Sequence, residues 1–327
     1  MKPFRYARAR DPQEAVQMVA VDAAASFVAG GTTVLDLMKD DVERPSLLVD
    51  INGVAGRAIV RAGDEIAIAA LARMSDVADD PEIAKHAPMV ANALLQSASP
   101  QLRNMASIGG NLMQRTRCSY FRDIVAPCNK RRRGDGCSAI GGENRRHAIF
   151  GGSESCICVH ASDLAVALAA ADATIHTNGP GGTRAIQVSD FYLLPRDTPN
   201  VETALHHAEL ISSVTLSLDP ALANSTYVKV RDRAQYEFAL VSVAAGMEIV
   251  GGTIRAARIA LGGVAPIPWR VPEAEAALVG RPATAASYRE AAEIALAGAR
   301  GCGGNDFKVA LAANAVVRAL EQIGSAA

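Results

Sequence analysis

The chain has 327 residues, a formal net charge of −1 and 50% apolar residues, few of them aromatic. That length is enough for two or three domains, with cores of Ala, Val, Leu and Ile. The near-neutral balance argues against a nucleic-acid partner, which would bring a basic domain, and no stretch approaches the length and apolarity of a membrane span.

The opening MKPFRYARARDPQEA carries early basic residues with no apolar run behind them, so it does not read as a secretory signal. By its own sequence the chain is expected in the cytoplasm. The periplasm is the alternative, if a partner carrying a signal exports the folded chain. Asp11-Pro12 reads as an N-cap followed by Pro at the first helical position, and Ala15, Val16 and Val19 continue an amphipathic helix. Ala25–Ala29 is a compact apolar run, expected as a buried strand. It leads through Gly30-Gly31-Thr32-Thr33 into a helix over Val34–Lys39, and Ser46–Asp50 is a second strand. Ala58–Arg61 and Glu65–Ala69 read as a hairpin. Pro81–Ser97 reads as one helix, followed by a second Gly-Gly pair at Gly109-Gly110. Ser162-Asp163 caps a helix over Leu164–Ala170, Ala173–His176 returns as a strand, and Asn178–Gly182 is a turn. The pattern breaks over Ser217–Ser225, which marks a domain boundary. Beyond it, Thr226–Val230, Ala239–Val250 and Thr253–Leu261 read as strands, the last two joined at Gly251-Gly252. Val271–Val279, Ala285–Ala297 and Asp306–Ile323 read as helices. This tail is expected to be α+β, a three-stranded sheet with helices on one face.

Five of the six cysteines, Cys118, Cys128, Cys137, Cys156 and Cys158, fall between Arg115 and His160; only Cys302 lies outside. The segment is rich in Arg, Gly and Asn and has no sustained apolar period, so its thiols do not look like core filler. A metal or cluster site explains the crowding better than a disulfide scaffold, because such scaffolds are short and dense in Cys. No C-x-x-C pair occurs, which fits zinc fingers and ferredoxin runs poorly. A [4Fe–4S] cluster and a Cys₄ zinc remain. Arg115, Arg117, Arg122, Lys130, Arg131, Arg132, Arg133, Arg145 and Arg146 crowd the same window. They are expected to lower thiol pKa values and to offset the charge of a thiolate-ligated cluster. His147 and His160 flank the segment and read as structural or hydrogen-bonding groups.

Two glycine pairs carry the other chemistry. In Ala29-Gly30-Gly31-Thr32-Thr33, between strand and helix, the missing side chains let a phosphate approach backbone N–H groups. The run is not G-x-G-x-x-G, so a Rossmann site is not indicated. Ser107-Ile108-Gly109-Gly110-Asn111 repeats the device. Either alone is equally a tight turn; together they suggest a pyrophosphate held between two lobes, that is, a dinucleotide. The Asp40-Asp41 and Asp79-Asp80 pairs read as caps and surface charge, His206-His207 as a solvated pair and Trp269 as packing. No Ser-His-Asp or H-E-x-x-H arrangement appears, so no catalytic residue is assigned.

The runs AGGTTVLDLMK, QLRNMASIGGNL, HASDLAVALAAADA and YVKVRDRAQYEFALVSVAAGM, in that order, resemble the FAD-binding (medium) subunit of the molybdenum hydroxylases, the xanthine dehydrogenase family. RTRC, PCNKRR, GDGC and SESC resemble the [4Fe–4S] segment of the FAD subunit of periplasmic aldehyde oxidoreductase. The medium subunit of 4-hydroxybenzoyl-CoA reductase, or a xanthine dehydrogenase-like subunit, is the second choice. The resemblance implies an α+β fold, with a two-lobed FAD-binding domain of the PCMH (vanillyl-alcohol-oxidase-like) type over 1–218. Its lobes are about 1–55 and 56–218, with a cysteine-rich insert at about 113–160, and a C-terminal domain follows over 225–327. It implies that Ser26, Phe27, Val28, Ala29, Gly30, Gly31, Thr32, Thr33 and Val34 cradle the FAD pyrophosphate, opposite Ser107, Gly110 and Asn111. Asp123, Asp163 and Lys229 would make polar contacts to the flavin or ribityl chain. Cys118, Cys128, Cys137 and Cys156 would ligate the cluster, with Cys158 competing for the fourth place and Cys302 an ordinary thiol. Molybdenum cofactor and [2Fe–2S] centres are implied on a large and a small partner subunit, in a heterotrimer or its dimer. Electrons would leave through FAD to an external acceptor, with no nucleic acid involved. Two readings of other kinds compete: a Cys₄-metal assembly or nucleic-acid-binding module, and a self-sufficient flavin enzyme.

Overall fold

The computed structural model describes residues 1–54 and 56–325. The first helix, Pro12–Ala20, starts where Asp11 accepts a hydrogen bond from the Glu14 N–H, and it buries Ala15, Val16 and Val19. It packs on a parallel sheet of β1 (Arg5–Arg8), β2 (Ala25–Val28) and β3 (Leu47–Asp50), with β3 in the middle. β1 was not legible in the sequence. It is largely exposed, and only its pairing with β3 makes it a strand.

A second sheet of five antiparallel strands comprises β4 (Ile59–Ala62), β5 (Glu65–Ala69), β6 (Thr174–Gly179), β7 (Gly182–Gln187) and β8 (Leu210–Ser217), in the order β4-β5-β8-β6-β7. The expected 81–97 helix is two helices, Pro81–His86 and Pro88–Leu95. Pro88 has no N–H to continue the first ladder, so the chain turns at Ala87 and begins again. Helix Asp163–Ala170 is buried at every residue and lies against both the second lobe and the C-terminal part. Leu222, Tyr227, Ala244 and Ala260 therefore join the core of the second lobe, while the C-terminal part keeps a core of its own between its sheet and helices.

The C-terminal sheet runs β12-β11-β10-β9, from β9 (Ser225–Val230), β10 (Val241–Val250), β11 (Thr253–Gly262) and β12 (Trp269–Arg270). The expected three strands are there, and the two-residue β12 adds a fourth at the edge of β11. Gly251 and Gly252, both at positive φ, close the β10–β11 hairpin. Helices Pro272–Leu278, Ala285–Ala295 and Phe307–Gly324 cover this part. Among the described residues no helix is long and apolar enough to cross a membrane.

The cysteine segment has little regular structure beyond a turn of helix at Ser119–Arg122 and short bridges between Cys128 and Cys137 and between Ser153 and Cys156. Its exit is sewn to the C-terminal domain: the N–H groups of Ile149 and His160 donate to the carbonyls of Val264 and Ala265, at 2.8 and 2.9 Å.

Candidate cofactor site

The loop after β2 and the loop before helix Ile108–Leu112 press together. A Cβ on Gly30 would stand 2.0 Å from the Met105 carbonyl oxygen, so only glycine lets the two backbones meet. Gly31 follows at φ +72°, the left-handed region glycine favours. Opposite, Ser107 caps its helix by accepting from the Gly110 N–H at 3.2 Å. Between the loops runs a cavity of about 440 Å³, lined by Ser26, Phe27, Ala29, Gly30, Gly31, Thr32, Thr33, Val34, Ser107 and Gly110. A neighbouring cavity of about 350 Å³ shares Thr32, Thr33 and Gly110 with it and continues to Asn111, Asp163 and Lys229. The two make one long cleft between the lobes and the C-terminal sheet.

The polar end of that cleft is tightly wired. Lys229 Nζ donates to Asp163 Oδ2 at 2.8 Å and to the Gln96 carbonyl at 3.0 Å. The Tyr227 hydroxyl donates to Asp163 Oδ1 at 2.7 Å, and the Ser97 hydroxyl to Oδ2 at 2.9 Å. Ser162 caps the buried helix and donates to Asn111 Oδ1 at 2.5 Å, so one serine orients both motifs.

Two of the expected cleft residues lie elsewhere. Val28 points into the first lobe, where it packs with Met38 and Leu48. Its neighbours Phe27 and Ala29 line the cleft. Asp123 is exposed and outside the walls of both cavities; its carboxylate accepts from the Val125 N–H at 3.0 Å and serves the turn. Conversely, Met113, Arg115, Glu43 and Arg44 line the first cavity, and Asp36, Gln114 and Arg117 the second, although none of them was expected there. Arg115 and Arg117 could have been found from their spacing, two apart in a segment leaving the Gly109-Gly110 helix.

The basic residues of the cysteine segment do not act on the thiols as expected. Arg115 pairs with Glu43 and Glu202, Arg117 with Asp36, Arg122 with Asp36 and Asp40, and Arg145 and Arg146 with Asp232. Arg131 donates to the carbonyls of Tyr120, Phe121 and Asp123. With their charge committed to these partners, burial dominates at Cys118 and pushes its thiol up to about 11. Cys158 is the exception: a hydrogen bond from Cys156 and the nearby Lys130 ammonium hold it below the usual thiol range, while Cys156 is raised.

Cys128 and Cys137 oppose each other across their bridge, and Cys118 lies within electrostatic reach of Cys158 and Cys128. Cys302 is not remote from the segment. Its carbonyl accepts from Asn144 Nδ2 at 2.9 Å, and burial raises its thiol, with Asp306 and the neighbouring Cys137 adding to the shift. Among the described residues no three His, Cys, Asp or Glu side chains converge as the ligands of a single metal ion. Burial pushes His160 down to about 4, and its Nε2 has no hydrogen-bond partner among the described residues.

A family model described as the FAD binding domain in molybdopterin dehydrogenase matches residues 2–217, and one for the CO dehydrogenase flavoprotein C-terminal domain matches residues 226–323. The chain belongs to the FAD-binding subunits of the molybdenum hydroxylase family. It is 48% identical over 280 residues to the aldehyde oxidoreductase FAD-binding subunit PaoB of Escherichia coli K12, covering 85% of this chain and 86% of that protein. The carbon monoxide dehydrogenase structure from Hydrogenophaga pseudoflava superposes with a TM-score of 0.77 at 26% identity, over 99% of both chains. Quinoline 2-oxidoreductase from Pseudomonas putida 86 has the same fold, with a TM-score of 0.77 at 24% identity over 100% of this chain and 99% of that one. As a molybdenum hydroxylase FAD-binding subunit, the chain is the medium, FAD-binding component of a multi-subunit oxidoreductase with large and small subunits.

Proposed function

We propose that this chain is the FAD- and [4Fe–4S]-bearing electron-transfer subunit of a molybdenum-dependent aldehyde oxidoreductase. In the complex, a large subunit carries the molybdenum cofactor and a small one carries [2Fe–2S] centres, as a heterotrimer or its dimer. Bound FAD exchanges electrons between those centres and an external acceptor. The observation that carries the flavin part is the pair of glycine loops meeting at Gly30 and Met105 along an open cleft.

Within that cleft Gly30, Gly31, Thr32 and Thr33 offer backbone N–H groups and hydroxyls to a pyrophosphate, and Ser107 and Gly110 form the facing wall. Asn111, held by Ser162, and the Asp163–Lys229 pair supply fixed polar contacts at the other end. Their wiring to Ser97 and Tyr227 keeps these groups from rearranging when a ring system enters. The division proposed, 1–218 for the flavin part and 225–327 for the C-terminal part, is supported by the short helix Pro220–Ala223 between β8 and β9.

The aldehyde and cluster parts are supported by the identity with PaoB and by the donor set. Cys118, Cys128, Cys137 and Cys156 are thiols of one segment, half-buried or buried. A [4Fe–4S] cluster would take thiolate ligands, which a cysteine-only donor set would supply. The test is the complex purified with its partners. Aldehyde should bleach the flavin absorbance, and iron should exceed what the [2Fe–2S] centres hold. A flavin-free complex, or one reduced by heterocycles and not by aldehydes, would overturn the assignment.

A further inference from the structure

His147 stands out among the groups that the flavin cleft does not use. Its side chain is buried, 6% exposed, and its Nε2 lies 3.2 Å from Cys118 Sγ. Its Nδ1 is buried without a partner. Its backbone is clamped from the C-terminal domain: the carbonyl accepts from Asn305 Nδ2 at 3.0 Å and from Lys308 Nζ at 2.8 Å, both residues fully buried. Its N–H donates to the Asn144 carbonyl at 2.9 Å, and Asn144 is itself tied to Cys302 and Gly304. A ring held this firmly against one sulfur is more than packing.

We infer that His147 donates its Nε2 proton to the sulfur of Cys118 and thereby raises the reduction potential of the cluster this cysteine ligates. The inference rests on the cluster reading above. A free thiol could donate to Nε2, but a metal-bound thiolate has no proton to give, so the imidazole must be the donor. An N–H aimed at a ligand sulfur offsets negative charge. Adding an electron increases that charge, so the reduced cluster gains more from the bond than the oxidised one. Asn305 and Lys308 are the positioning residues: they fix the carbonyl of His147 and so the ring above it. The C-terminal domain then holds the donor in place through Asn305 and Lys308.

The test uses the complex with its partners. His147→Phe keeps a flat ring and removes the donor, and His147→Gln keeps an amide N–H. EPR-monitored redox titration should show the four-iron signal shifted to more negative potential in H147F and returned toward wild type in H147Q, with equal iron per chain. Unchanged potential in H147F at full iron overturns the inference, as does an equal shift in H147Q. Should H147F lose its iron, wild type grown with ¹⁵N-histidine decides the matter. Hyperfine coupling of a histidine nitrogen to the reduced four-iron centre supports the bond, and its absence refutes it. If wild type holds no iron beyond its [2Fe–2S] centres, the cluster reading falls and this inference with it, an outcome distinct from an unmoved potential.

Discussion

Replacing Gly30 by Ala tests the cleft most directly. The new methyl carbon would lie 2.0 Å from the Met105 carbonyl oxygen, 2.7 Å from its carbon and 3.2 Å from the Ala106 nitrogen. All three are backbone atoms, so no side chain can swing aside, and the loops must part by roughly 1 Å or more to reach ordinary contact. Overpacking of this kind costs about 1–3 kcal/mol. The two loops are also the two walls of the cavity, so the cost falls on the flavin-competent arrangement. At 1.4 kcal/mol per decade, FAD affinity should drop on the order of 10- to 100-fold. Gly181→Ala is the control, since nothing lies within 4 Å of a Cβ there and its φ is ordinary. Flavin stoichiometry of the purified complexes, followed by FAD titration of the stripped protein, reads the effect. If G30A retains full flavin with the affinity of G181A, the apposition of the loops does not form the site.

Lys229→Met should destabilise the fold by about 3–5 kcal/mol, because it leaves the buried Asp163 carboxylate unpaired; adding Asp163→Asn should recover much of the loss in denaturant unfolding. Lys308 has its pKa lowered to about 7 by burial, with Arg145 adding to the shift. Above that pH the native chain sheds a proton that the unfolded chain keeps until about 10.4. The unfolded state then binds more protons and stability rises with pH across the window. Unfolding midpoints of wild type should therefore climb from pH 7 to 9 relative to Lys308→Met, and parallel curves would refute the shift. Cys156→Ser should abolish the excess iron that Cys158→Ser retains; the opposite pattern would hand the fourth ligand to Cys158.

Local signals were enough wherever a residue acts on its neighbours. Asp11-Pro12 and Ser162 cap the helices they precede, and the Gly251-Gly252 hairpin forms where its glycines permit positive φ. The four motif runs carried the family, and with it the flavin. Strands β1 and β8 take their identity from pairing with distant segments, whereas β7 is the return strand of a hairpin with the adjacent β6, of which only the turn at Asn178–Gly182 was legible. Asp123 was misplaced for a related reason. Its carboxylate satisfies an N–H two residues on, and sequence order could not show that its turn leads away from the cleft.

The amino-acid order alone determined that two glycine pairs, a capped buried helix and a cysteine-dense segment occur in one chain, because each depends on interactions a few residues long. Only the tertiary structure decided that Gly30 meets the backbone of Met105, that the arginines are spent on Asp36, Glu43 and Glu202, and that His147 is clamped onto Cys118 by Asn305 and Lys308. These contacts join residues far apart in the chain. Which partner a buried charge or a bare sulfur finds is set by packing of whole elements, and that is not written in any local window.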